Sequence, residues 1–297
     1  MIPTTLQFAD ATDGTRIAFS LREADPGLPR LAFLHTLGMS HALWTPVCER
    51  LAGRASFLCL DMRGHGASDK PAGPYTPGLL ARDLHDVLDH VGWSDAVVVG
   101  SSLGGCIAQQ FAADHPERII ALGLVDTTAW YGPDAAQHWD ARALRARKEG
   151  LAAMVEFQQT RWFSDAFREA RPDTVDACVQ TFLRNDVESF AALSEMLGRF
   201  DARSLLARIS VPTGIVVGEE DYATTVTMAQ ALQRAIPEAT LTVVPAARHL
   251  TQIERPDAVA SMLLRLMAGL RPASGPRPRQ RTGPSSAPAT HRGGACP

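Results

Sequence analysis

Apolar residues along this chain fall into two rhythms that take turns. Short unbroken runs at 6–8, 16–22, 30–35, 55–60, 95–100, 119–125, 214–218 and 239–244 predict β-strands, the first two joined by the hairpin-type turn Asp13-Gly14. Between them lie stretches with apolar positions three or four apart, which predict helices. These cover 41–51, 76–91 (Leu79, Leu80, Leu84, Val87, Leu88 and Val91 on one face), 106–115 (Ile107, Phe111, Ala112), 225–236 and 256–270. Strands that alternate with helices predict an α/β fold, a mostly parallel doubly wound sheet that binds ligands at the carboxyl ends of its strands.

The rhythm breaks once. From 127 to 206 strand signals vanish, and helical segments carrying Trp130, Trp139, Trp162, Phe163, Phe167, Phe182, Phe190 and Phe200 follow one another. This predicts a helical cap inserted between two parts of a core, 1–126 and 207–271. Residues 272–297 are rich in Pro, Gly, Ser and Arg, lack acidic residues and show no periodicity, which predicts a disordered tail.

Composition narrows the function classes. With 45% hydrophobic residues in 297 there is ample material for a core, and a formal charge of -3 gives no reason to expect nucleic acid or an anionic membrane surface as a partner. No apolar run has the length of a membrane span, and the first residues lack the features of a signal peptide. Cys48, Cys59, Cys106, Cys178 and Cys296 are odd in number and scattered, which suits free thiols in a reducing compartment. A cytoplasmic location is expected; the oligomeric state stays open.

The chemistry centres on Gly100-Ser101-Ser102-Leu103-Gly104, where a predicted strand runs into a predicted helix. A turn this tight needs small residues on both sides of the serine, and it leaves the Ser102 hydroxyl at a helix N-terminus, where unpaired N–H groups favour an oxyanion. A serine also needs a base, and the base an orienting acid. His249 follows the last strand and Asp221 follows the strand before it, so the order is nucleophile, acid, histidine. Glu219 and Glu220 share the turn with Asp221 and compete for its role. His65, within Arg63-Gly64-His65-Gly66, suits loop packing, and His35 is expected to end its strand and to shape the small-residue loop that follows, whose backbone N–H groups can face an oxyanion. His85 and His90 stand five apart and share no helix face, which makes them poor metal ligands. Absence of a Gly-x-Gly-x-x-Gly, Gly-Lys-Ser/Thr or zinc spacing leaves no cofactor or metal expected. Arg142, Arg145, Arg147 and Arg161 are mostly expected on a solvated face, with one or two turned to the cleft to hold an anionic group.

Together these residues resemble the α/β-hydrolase superfamily over about residues 5–270. Within it the chain is most similar to the 3-oxoadipate enol-lactonases, on Leu34-His35-Thr36-Leu37-Gly38, Asp61 to Ser68 with Gly73-Pro74-Tyr75-Thr76, Val99 to Gly105, and the cap segments Lys148-Glu149-Gly150-Leu151 and Thr160-Arg161-Trp162-Phe163. The resemblance implies Ser102 as nucleophile, His249 as general base and acid, Asp221 as its orienter, and an oxyanion hole from the backbone N–H groups of Leu37 and Leu103. It implies no cofactor, and hydrolysis of an ester or lactone of aromatic-compound catabolism through an acyl-enzyme. Its substrate carries a carboxylate, for which Trp130, Arg142, Arg145 and Arg161 are the expected contacts. A general carboxylesterase, a cofactor-free perhydrolase or haloperoxidase, and a non-catalytic ligand-binding member of the fold are the alternatives.

Overall fold

The computed structural model describes residues 5–270 of the 297. The tail expected at 272–297 lies outside the described residues.

Eight strands form one sheet: β1 (Gln7–Asp10), β2 (Arg16–Arg22), β3 (Arg30–Leu34), β4 (Ser56–Leu60), β5 (Ala96–Ser101), β6 (Ile119–Val125), β7 (Thr213–Gly218) and β8 (Thr240–Val244), in the order β1-β2-β4-β3-β5-β6-β7-β8. The first two pairings, β1 with β2 and β2 with β4, are antiparallel; all others are parallel. Continuous apolar runs mark the strands covered on both faces: every residue of β4, β5 and β7 is buried, whereas β1 at the edge buries only Ala9.

Helices α1 (Thr45–Arg50), α2 (Pro77–His90) and α3 (Leu103–Asp114) link the strands of the first half. The helical pattern at 41–51 resolves into a 3₁₀ turn (His41–Trp44) followed by α1, because Pro46 in the first turn fixes where the α-helix begins. Proline does the same for α2, whose N-cap Thr76 accepts the Leu79 N–H at 3.1 Å. Between β6 and β7 come α4 (Ala135–Glu149), α5 (Val155–Trp162), α6 (Asp165–Ala170), α7 (Pro172–Leu183) and α8 (Val187–Gly198), with α4 packed along α8. The second half adds α9 (Val226–Ala235), the short α10 (Thr251–Glu254) and α11 (Pro256–Ala268). Helix α11 lies along β6 and β7 and packs on α1, while α3 lies along β3, β5 and β6 and packs on α2. The cap aromatics Trp162, Phe163, Phe182 and Phe190 are buried to within 1% and continue the hydrophobic core of the sheet into the cap, with Phe182 and Phe190 against Gly38 of the loop after β3. Among the described residues no helix is long and apolar enough to cross a membrane.

Candidate active site

Ser102 sits between β5 and α3 with φ 52° and ψ -115°, a backbone conformation that costs a non-glycine residue on the order of 1–3 kcal/mol. Packing enforces it. A Cβ on Gly100 would run into the Gly104 carbonyl, and one on Gly104 into the Leu34 carbonyl, so helix α3 approaches β5 and β3 as closely as backbone allows. The serine is thereby lifted off both elements, with its Oγ 2.9 Å from His249 Nε2. Behind it, burial pushes the Cys106 thiol up to about 12, so it stays protonated and does not compete as a nucleophile.

His249 follows β8 and Asp221 follows β7, and the adjacent parallel strands lay the two loops side by side. His249 Nδ1 is 2.8 Å from Asp221 Oδ2. Asp221 also accepts the N–H groups of Ala223 and Thr224 at 2.7 and 3.0 Å and the Thr224 hydroxyl at 2.7 Å. Burial acts to raise its pKa, but the imidazole of His249 and these bonds outweigh it and hold the carboxyl below its ordinary value. The competing acids point elsewhere: Glu219 accepts the Ala246 N–H at 3.4 Å, and Glu220 lies 3.5 Å from the Arg248 guanidinium.

Three residues that sequence reasoning passed over hold this arrangement. Asp126, at the end of β6 with φ 45°, accepts the Gly218 N–H of the acid loop at 3.0 Å and both the N–H and hydroxyl of Thr251, just past His249, at 2.9 Å. Burial and the nearby Asp221 carboxylate push its pKa up. Gln252 donates to Ser101 Oγ at 3.0 Å, and that oxygen is 2.8 Å from Thr36 Oγ1, which links the histidine loop to the loop after β3. Tyr131 brings its hydroxyl into reach of Ser102 and within 3.9 Å of the Cys106 sulfur.

Leu37 and Leu103, expected to supply oxyanion donors, lie at the ends of neighbouring strands: β3 pairs with β5 at Leu34–Gly100, and the Gly104 N–H donates to the His35 carbonyl at 3.1 Å. Leu103 is the first residue of α3, so its N–H belongs to the unpaired donors of a helix N-terminus.

Next to Asp221, cap and core line an open cavity of about 500 Å³ whose walls include Tyr131, Trp139, Arg142, Arg145, Arg161 and Tyr222 but neither Ser102 nor His249. Among the described residues neither Arg142 nor Arg161 is paired with a carboxylate. Arg142 donates to Gln158 at 3.0 Å and leaves a buried Nε without a partner; its guanidinium rests on Trp139 and Phe190, and that of Arg161 on Trp139 and Phe157. Burial lowers the pKa of both, opposed at Arg161 by the Asp221 carboxylate, yet an arginine keeps its charge, so the cavity holds two cations that no carboxylate contacts directly. Arg145 is different: it pairs with Glu149 at 3.0 Å. Trp130 lines a separate groove beside α9, where Arg203 covers its ring at 3.8 Å.

The cap is tied to the histidine loop. Arg248 Nη1 donates to the carbonyls of Thr160 and Phe163 at 3.0 and 3.1 Å and pairs with Asp165 at 2.9 Å, while Leu250 N–H donates to the Trp162 carbonyl at 3.0 Å. Buried Glu254 bridges the Ser164 hydroxyl and the Arg248 N–H.

This sheet order, with a serine elbow after β5 and a helical insertion after β6, belongs to the α/β hydrolases, and residues 29–256 match that family. The chain is a member of it. Among curated relatives it is 35% identical to 3-oxoadipate enol-lactonase 2 of Acinetobacter baylyi over 230 residues, 77% of this chain and 85% of that one. Among solved structures it resembles the enol-lactonase of Burkholderia xenovorans LB400 at a TM-score of 0.84 and 29% identity, over 88% of this chain and all of that one. A hydrolase of Pseudomonas aeruginosa PA01 superposes at 0.84 with 30% identity, over 90% of this chain and 99% of that one.

Proposed function

We propose that this hydrolase opens a carboxylate-bearing lactone through an acyl-enzyme on Ser102, with 3-oxoadipate enol-lactone as the favoured substrate. The observation that carries this reading is the pair of cations without an ion-pair partner, Arg142 and Arg161, in a cavity whose wall includes Tyr131, a neighbour of Ser102. A half-buried charge without an ion-pair partner is costly to hold, and a bound carboxylate offsets that cost while orienting the molecule. The relatives named enol-lactonase support the same choice.

In this reading Ser102 Oγ attacks the lactone carbonyl as His249 takes its proton, and Asp221 steadies the imidazolium. The N–H groups of Leu37 and Leu103 receive the negative charge on the carbonyl oxygen. Collapse breaks the ring C–O bond, and His249 returns the proton to the departing enol oxygen, which stays tethered through the acyl chain. The enol then shifts to the ketone. Water, deprotonated by His249, cleaves the ester to Ser102 and releases a dicarboxylate.

The test is turnover of enzymatically generated 3-oxoadipate enol-lactone beside a short-chain aryl ester, with the parent and Ser102→Ala. Lactone turnover far above ester turnover, by the parent alone, is the expected result. Ester cleavage without lactone turnover overturns the substrate, and equal turnover by Ser102→Ala overturns the mechanism.

A further inference from the structure

We infer that His35 is a positioning residue for the oxyanion donor Leu37, and that His65 holds the next peptide of the same loop, both as uncharged imidazoles protonated on Nδ1. The inference rests on the serine-hydrolase reading above.

The partners of each ring fix its tautomer. His35 Nε2 receives the Met62 backbone N–H at 3.0 Å, and His65 Nε2 receives the Gly38 backbone N–H at 3.0 Å. A backbone N–H only donates, so both Nε2 atoms are acceptors with a free lone pair. Each neutral ring must then carry its proton on Nδ1. For His35 that proton goes to the Thr36 carbonyl at 2.8 Å; for His65 it faces the Arg63 carbonyl at 3.4 Å.

The Thr36 carbonyl and the Leu37 N–H belong to one planar trans peptide and point in opposite directions. Fixing the carbonyl on His35 therefore fixes the direction of the Leu37 N–H. The Met39 N–H, at 3.0 Å from the same carbonyl, closes the turn. The two peptides that flank Gly38 are each held: His65 takes the Gly38 N–H at 3.0 Å, and Asn185, just past α7, donates to the Gly38 carbonyl at 2.8 Å. Gly38 has φ +78°, and Phe182 of the cap packs where a Cβ would stand. A loop of small residues thus acquires a defined orientation from two imidazoles and one cap amide.

The two rings meet edge to face with centroids 4.7 Å apart and are 0% and 1% exposed. His35 is faced by Asp61 and His41, and His65 by His35, Asp61, Lys70 and the Arg63 carbonyl. Asp61 is already engaged by the His41 ring at 2.8 Å and by the N–H groups of His41 and Ala67. Burial dominates and keeps both imidazoles neutral. The loop bearing His65 is anchored in turn by Arg63, which forks onto Asp83 at 2.8 and 2.6 Å.

Long-range proton–nitrogen NMR of the ring nitrogens at neutral pH is expected to show His35 and His65 as Nδ1–H tautomers; an Nε2–H tautomer for His35 overturns the inference whatever the activity. The functional arm uses His35→Leu, which lacks the donor, and His35→Asn, whose amide nitrogen replaces Nδ1. We expect kcat on an aryl ester to fall about 10- to 100-fold in His35→Leu with KM changed less than about threefold, and His35→Asn to recover most of it. Binding of a boronic acid, which places a negative oxygen where the oxyanion forms, is expected to weaken in step with kcat. Unchanged kcat in a folded His35→Leu, or no recovery in a folded His35→Asn, overturns the role. If His35→Leu does not fold, the Asn variant and the tautomer decide. A parent that cleaves no ester and takes no label on Ser102 from a fluorophosphonate brings down the hydrolase reading, and this one with it. An active parent with indifferent His35 variants brings down this one alone.

Discussion

The carboxylate of Asp126 grips Thr251 twice, through the backbone N–H and the hydroxyl, both at 2.9 Å, and takes the Gly218 N–H as well. One side chain just past β6 thus fixes the loop that presents His249 and the loop that presents Asp221. Replacing it strands buried donors, each costing about 1–3 kcal/mol. We predict that Asp126→Ala loses roughly 3 kcal/mol or more in urea unfolding and that its kcat falls with it. A stability within about 0.5 kcal/mol of the parent would show that the loops hold without the clamp.

Asp221→Asn tests the acid. An amide in place of the carboxylate presents a donor to Nδ1 and favours the wrong imidazole tautomer, so kcat on an aryl ester should drop by about 10⁴ while the chain stays folded. A drop below tenfold would move the orienting role to another group, with Thr224, whose hydroxyl is 3.3 Å from His249 Nδ1, the first to examine.

Arg161→Met and Arg142→Met separate substrate recognition from structure. Each removes an unpaired cation, so melting temperature should hold or rise. For a carboxylate-bearing substrate kcat/KM should fall roughly 10- to 100-fold, whereas a neutral aryl ester should be nearly unaffected. Equal losses on both substrates would assign the arginines to the cap's own packing.

Acid weakens the fold in two stages. His35 is uncharged when folded, its pKa pulled by burial from 6.5 to about 4, so the unfolded chain binds the extra proton in between. Stability therefore falls as pH drops from about 6.5 to about 4, by on the order of 3 kcal/mol from this group, and His65 acts in the same direction. For Asp61 burial works upward, but His41 outweighs it and sets the pKa at about 2, so its contribution is present above 3.8 and lost as pH falls toward 2. Urea midpoints at pH 7, 5.5 and 4.5 should decline in order; equal midpoints would mean that His35 is not kept neutral by the fold.

The elbow was legible because steric demand writes itself into composition: only glycine fits where α3 meets β5 and β3, and Ser102 is what remains between. The order of Ser102, Asp221 and His249 was legible because each follows a recognisable apolar run. Asp126 was not, since an aspartate after a strand reads as an ordinary turn residue until its partners from β7 and α10 are beside it. Arg142 and Arg145 lie three apart on one face of α4 and looked alike; the Glu149 four residues after Arg145 was the signal that one of them is paired and the other is not. Trp130 could not be placed from sequence, because whether it turns to Arg203 or to the cleft depends on how the chain leaves β6. The helix expected from 41 becomes α-helical only at Thr45, where Pro46 overrode the apolar spacing, and the one expected from 106 begins at Leu103, because Gly104 and Gly105 carry no apolar signal.

The stitches from Arg248, Leu250 and Glu254 to residues 160–165 give the cap a fixed edge, and that edge is the histidine's own loop. Lid and machinery are consequently one part on this side. A chimera that imports a foreign cap would inherit a displaced His249 unless it also carried partners for Arg248 and Glu254, so specificity in this fold is best redesigned by changing side chains inside the cavity rather than by exchanging the roof.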